Sequence, residues 1–103
     1  MQNIPTTSDV SYSLPPLLTI ETVDELTADF VRILGEHPPL LTLEASRTEV
    51  LTTPGVQLLV TLDDALSLDG GALRIAGPSR ACEDAFAILG FSSWLSERKV
   101  AHG

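Results

Sequence analysis

Positive charge is scarce in this chain. Six Lys and Arg stand against fourteen Asp and Glu among 103 residues, a formal charge of −8. Such a surface repels, on average, the phosphate backbone of nucleic acid and anionic lipid headgroups, so no nucleic-acid partner is expected. Cysteine occurs once, as Cys82, which rules out an intramolecular disulfide, and His37 and His102 cannot assemble a zinc site with a single thiol at usable spacing. Cys82 reads as a small packed side chain, and no metal or cofactor is expected. The N-terminus, Met1-Gln2-Asn3-Ile4-Pro5, carries no basic region and no long apolar run, and nothing later is long enough to cross a bilayer. The expectation is a cytoplasmic protein with no direct membrane insertion.

What is present is enough apolar side chain, 44% of residues, to offset the entropy of folding in one compact domain. Residues 1–9 are polar, contain a proline and lack periodicity, so they read as a flexible arm; residues 100–103 read as a flexible tail, and 10–99 as the domain. Val10, Tyr12 and Leu14 alternate with serines in a short strand ended by Pro15-Pro16, and 17–20 can form another. Thr22 and Glu25 have capping-box spacing and predict a helix start. Val23, Leu26, Phe30, Ile33 and Leu34 share one face of that helix, which Gly35 and Pro38-Pro39 stop. The apolar runs 40–43 and 72–76 predict adjacent, parallel central strands, connected by a helix from Pro54 to about Leu68. A third helix starts at Pro78 or Ser79, with Cys82, Ala85, Phe86 and Leu89 inward and Gly90 as a left-handed cap; a fourth runs from Ser92 through Lys99. Helices alternating with apolar strands give an α/β fold, with a mostly parallel or mixed sheet of about four to five strands and about four helices.

Catalytic chemistry is thin. Gly70-Gly71 follows a helix and precedes a strand, the wrong order for a phosphate loop. The adjacent carboxylates Asp63-Asp64 and Glu83-Asp84 point in different directions from their helices and read as solvated faces. Only Glu44 lies near a strand end, too few acids for a phospho-acceptor cluster with magnesium. No nucleophile, base and orienting group can be assembled, so no catalytic residue is assigned and no enzyme is expected.

The informative segment is 50–59, where Thr52 and Thr53 precede Pro54, Gly55 and an apolar helix. Thr53 is the expected N-cap, near the free amides and the positive end of the helix dipole, where an anion is tolerated. One side of the helix carries Gly55, Leu59, Leu62 and Leu66, flanked by Val56 and Leu58. The other carries Thr53, Gln57, Val60, Thr61 and Asp64, with no lysine or arginine. That second face is open to two readings, a solvent face or a modest protein-binding patch.

In order and motif, residues from about Val10 to Arg98 resemble the STAS family, the domain of bacterial anti-sigma-factor antagonists. The resemblance rests on Leu41-Thr42-Leu43-Glu44 as the strand ending at an acid, and on Thr52-Thr53-Pro54-Gly55 in place of the family's Asp-Ser-Ser-Gly-like turn. Ile75-Ala76-Gly77-Pro78-Ser79 match the strand entering a Pro-Ser helix start, and Leu89-Gly90-Phe91 the Leu-Gly-Phe helix end. It implies that Thr53 stands where the family carries its phosphorylated serine. Thr52, Pro54, Gln57, Val60, Thr61 and Asp64 then join Thr53 on the partner-binding surface. Thr52 replaces the family aspartate and Pro54 its second serine. The Thr-Pro-Gly variant is also similar to stand-alone STAS proteins of chemotaxis gene clusters, and short STAS subunits of phospholipid ABC transporters are similar in size. The implied function is a regulatory module that binds an anti-sigma factor, a chemotaxis-type kinase or another signalling protein, with Thr53 as its switch. The alternative is an accessory transporter subunit that binds the ATPase constitutively.

Overall fold

The computed structural model describes residues 8–101. Most of the arm assigned to 1–9, and the end of the tail assigned to 100–103, lie outside the described residues. Ten elements follow along the chain: β1 Val10–Ser13, β2 Leu17–Leu18, α1 Val23–Leu34, β3 Leu40–Glu44, β4 Val50–Leu51, α2 Thr53–Leu68, β5 Ala72–Ala76, α3 Arg80–Ile88, α4 Ser92–Arg98 and β6 Lys99–Val100. A four-stranded sheet has the order β1-β3-β5-β6, and β2 and β4 form a separate two-stranded sheet. Every pairing is parallel. The adjacent, parallel placement expected of 40–43 and 72–76 is found in the register Leu41↔Leu73 and Leu43↔Ile75, with α2 between the two strands in sequence.

Strand alternation places Leu41, Leu43, Leu73 and Ile75 in one core with Leu26, Phe30 and Ile33 of α1, Val56, Leu59, Leu62 and Leu66 of α2, and Cys82 and Phe86 of α3. The opposite sheet face carries exposed Ser11, Ser13 and Arg74 and half-buried Thr42. Because all strands run one way, the chain enters α2 and α3 at the carboxyl end of the strands, and α1 and α2 both finish at the opposite end. That polarity positions the site described below.

Several local expectations are revised. The Thr22–Glu25 capping box does not form, because the Thr22 hydroxyl turns back to the preceding loop, accepting from the Thr19 amide at 2.9 Å and lying 3.0 Å from the Leu17 carbonyl. Gly35 caps α1 in a right-handed conformation, and the left-handed residue of that turn is His37, with φ 51°. Gly90 does take the left-handed cap, φ 82°, and Phe91 N–H donates back to the Phe86 carbonyl at 2.7 Å. Two short strands carried no periodic signal: β4, and β6, which pairs with Ile75 and Ala76. Hence α4 ends at Arg98, and Lys99 and Val100 belong to the sheet, not to the helix and the tail.

The Tyr12 hydroxyl donates to Asp29, tying β1 to α1, and its ring meets Phe30 edge-on at 5.4 Å. Burial, then this bond, push the phenol up to about 12 from its ordinary 10.0, while the same bond, with Arg32, holds Asp29 below its ordinary value. A raised folded-state pKa stabilises the fold below the unfolded pKa and ceases to do so as pH rises through the folded one. The Tyr12 contribution is therefore expected to be complete below about pH 10 and lost by about pH 12. Tyr12 is the sole tyrosine, so phenolate absorbance reads it directly. The midpoint should lie near 12 and fall in Asp29→Ala, staying above 10 because burial is the larger cause; a wild-type midpoint near 10 would contradict the packing.

Candidate protein-interaction site

The start of α2 is built by a close approach. Thr52 continues the β4 path, its amide donating to the Leu18 carbonyl at 3.2 Å and its hydroxyl lying 3.4 Å from the same oxygen. Its backbone is extended, φ −105° and ψ 174°, so Thr52 is the N-cap, one position earlier than the expected Thr53, which is instead the first helical residue. Neither hydroxyl accepts a helix amide, since that of Thr52 faces β2. Thr53 is exposed and makes no side-chain hydrogen bond among the described residues. Pro54 fits the first turn, where its missing N–H costs nothing. Gly55 is buried, and a Cβ there would lie 2.3 Å from Leu18 Cδ2 and 2.8 Å from the Leu18 carbonyl oxygen. The glycine of the Thr-Thr-Pro-Gly turn is thus a packing requirement that sets how closely Thr52 and Thr53 sit against β2.

Around these threonines the surface is unusually apolar. Leu17 and Val50 are register partners of the small sheet, 50% and 41% exposed. α3 ends with Ile88, 82% exposed, and is capped by Leu89. A shallow groove of about 240 Å³ lies between the two helices, lined by Leu51, Thr52, Thr53, Ala85, Ile88 and Leu89. Single exposed apolar residues are ordinary, but a cluster flanking a free hydroxyl has the composition of an interface. Leu89 was expected on the core face of its helix; it instead caps α3 and stands at this rim. Ile88, Leu17 and Val50 were not singled out in the sequence, because their grouping arises from β2, β4 and α3 meeting in space.

Of the remaining residues assigned to the surface, Gln57, Thr61 and Asp64 are exposed along α2, and Pro54 and Val60 are half-buried, Val60 packing against the core. They extend down the helix, outside the groove. Asp63, expected on a solvated face, is buried and bonds Arg98 Nη2 at 2.8 Å. Arg98 also donates to the Trp94 carbonyl at 2.7 Å and lies 4.3 Å over the Trp94 ring, which stacks on Phe86 at 5.2 Å. This cluster joins α2, α3 and α4 behind the site. The Cys82 thiol is buried in the core, and burial, aided by Glu83, pushes it up to about 11, which leaves it protonated and inert near neutral pH. Among the described residues no three His, Cys, Asp or Glu side chains are grouped to hold a metal ion, and no helix is long and apolar enough to cross a membrane.

Comparison with known proteins agrees with this fold. A family model described as the STAS domain matches residues 2–101. None of the curated proteins compared matches the sequence. Among solved structures, the anti-sigma factor antagonist SpoIIAA in its unphosphorylated form superposes with a TM-score of 0.77 at 17% identity, over 98% of this chain and 85% of that one. A sulfate transporter family protein from Wolinella succinogenes superposes with a TM-score of 0.76 at 22% identity, over 98% of this chain and 82% of that one. At these identities the likeness establishes a shared fold.

Proposed function

The chain belongs to the STAS-domain family, and from that premise we propose that it is a non-enzymatic, cytoplasmic interaction module that binds a signalling protein across the start of α2, with phosphorylation of Thr53 as the switch. The observation that carries the proposal is the free, exposed Thr53 hydroxyl at a helix N-terminus, on a groove it shares with Ile88 and Leu89, with the exposed Leu17–Val50 pair on the small sheet that leads into the helix. A kinase needs an accessible hydroxyl, and Thr53 offers one, whereas Thr52 is turned toward the Leu18 carbonyl. The apolar flanks supply area whose burial drives association, and Gln57, Thr61 and Asp64 continue the surface as a polar rim. The resemblance to an anti-sigma factor antagonist supports a regulatory kinase or anti-sigma factor as the partner class.

Ile88→Asp and Val50→Asp test the surface, because both side chains project into solvent and their loss should leave the fold intact. Each is expected to weaken binding to the partner identified from gene neighbours by about 10-fold or more, as a buried charge replaces an apolar contact. Calorimetric titration measures it. Full affinity in both variants would remove this surface from the interface.

A further inference from the structure

α2 has a second exposed end, remote from Thr53: its sixteen residues span about 24 Å at 1.5 Å per residue. There the last turns of α1 and α2 meet over a groove of about 300 Å³ lined by Leu34, His37, Ala65, Leu68 and Asp69. Leu68 is 91% exposed, and Val31, one turn before Leu34, is 62% exposed. The groove wall is held by a constrained residue. His37 adopts φ 51°, which costs a non-glycine residue strain, and its Nδ1 lies 2.6 Å from Asp69 Oδ2, joining the two loops.

The charge of this end is predominantly negative. Glu36, Asp64 and Asp69 are exposed around the groove, Arg32 in the last turn of α1 is engaged with Asp29, and α2 has no basic residue in its last turn. The carbonyl ends of two helix dipoles converge there as well. An apolar floor with an acidic rim complements an apolar side chain beside a cation. Two copies of this chain would bring the same acidic rims together, each copy carrying a formal charge of −8, so self-association is opposed.

We propose that the groove between the C-terminal turns of α1 and α2 is a second docking site, for a partner polypeptide that presents an apolar side chain next to lysine or arginine. The apolar group sits on Leu34, Ala65 and Leu68, and the cation faces Asp69 and the helix carbonyls. The site is separate from the Thr53 surface and stands without it.

The test is an amide NMR titration at physiological salt with a synthetic amphipathic helical peptide of leucine and lysine, amidated at its C-terminus. The expected shifts centre on residues 31–37 and 65–70. Leu68→Ser and Asp69→Asn should each weaken binding, by about 10-fold for Leu68→Ser, while Thr53→Glu leaves it unchanged. The exposure of Leu68 and the peak dispersion of the spectrum guard against a folding artefact. Shifts spread evenly over the acidic surface, or wild-type affinity in Leu68→Ser, would overturn the proposal. So would a dimer, seen by sedimentation, that Leu68→Ser dissolves, since the occupant would then be a second copy.

Discussion

Gly55→Ala is expected to destabilise the domain by about 2 kcal/mol net, although alanine is the better helix former. Two effects oppose each other. Replacing glycine in a helix gains at most about 1 kcal/mol in propensity. Against it, the new Cβ would lie 2.3 Å from Leu18 Cδ2, 2.7 Å from Leu51 Cδ1 and 2.8 Å from the Leu18 carbonyl oxygen. Leu18 is fully buried, so its side chain has nowhere to retreat. The carbonyl accepts from the Thr52 amide, so moving it strains the β2–β4 contact. Overpacking of this kind costs about 1–3 kcal/mol, and contact with backbone places this case near 3. A net loss of about 2 kcal/mol lowers the melting temperature of a domain this size by roughly 8–16 °C. An unchanged or raised melting temperature would show that β2 and α2 are not held in this contact, and the stated position of Thr53 would fall with it.

Elements with repeated signals were legible in the sequence, and those defined by a spatial partner were not. The 40–43 and 72–76 runs, the apolar face of α1 and the Gly90 cap were each announced by several residues agreeing on one period or one turn. β4 and β6 have two residues each, and only their register with β2 and β5 makes them strands. The capping bonds expected of Thr22 and Thr53 do not form: the Thr22 hydroxyl is engaged at the Leu17–Thr19 turn, and the cap position of α2 falls on Thr52, whose hydroxyl faces the Leu18 carbonyl. Asp63 was misread because its partner, Arg98, is distant in sequence and reaches it only through the packing of α4. At the candidate site the turn through Thr52, Thr53 and Pro54 into α2 was legible from the order of threonine, proline and glycine. The apolar flanks were not, because an exposed Ile88 or Val50 cannot be told from a core residue until the fold shows which way it faces.

Thr53 carries the largest expected effect on function. A phosphoryl group adds about −1.5 to −2 charges. At the first residue of α2 it meets the positive end of the helix dipole, which is neutral to stabilising for the fold by roughly 0.3–1 kcal/mol. Because Thr53 is exposed and has no side-chain bond to break, nothing in the native state opposes it. Inside a docked interface the balance reverses. The charge must leave water beside Ile88 and Leu89 with no cation of α2 to receive it. Desolvation without a partner costs about 2–5 kcal/mol on the scale of truncated interfacial charge pairs, or roughly 30-fold to several thousand-fold in affinity. The fold should keep its melting temperature while the complex dissociates.

The most direct measurement is a calorimetric titration of the cognate signalling partner into wild type, Thr53→Ala and Thr53→Glu, beside thermal melts of the same samples. The account predicts melting temperatures within a few degrees of one another, near-normal binding by Thr53→Ala, and loss of at least about 30-fold in affinity for Thr53→Glu. Wild-type affinity in Thr53→Glu would contradict it, leaving Thr53 as the first residue of a helix and the interaction as a constitutive one, of the kind a transporter subunit makes with its ATPase.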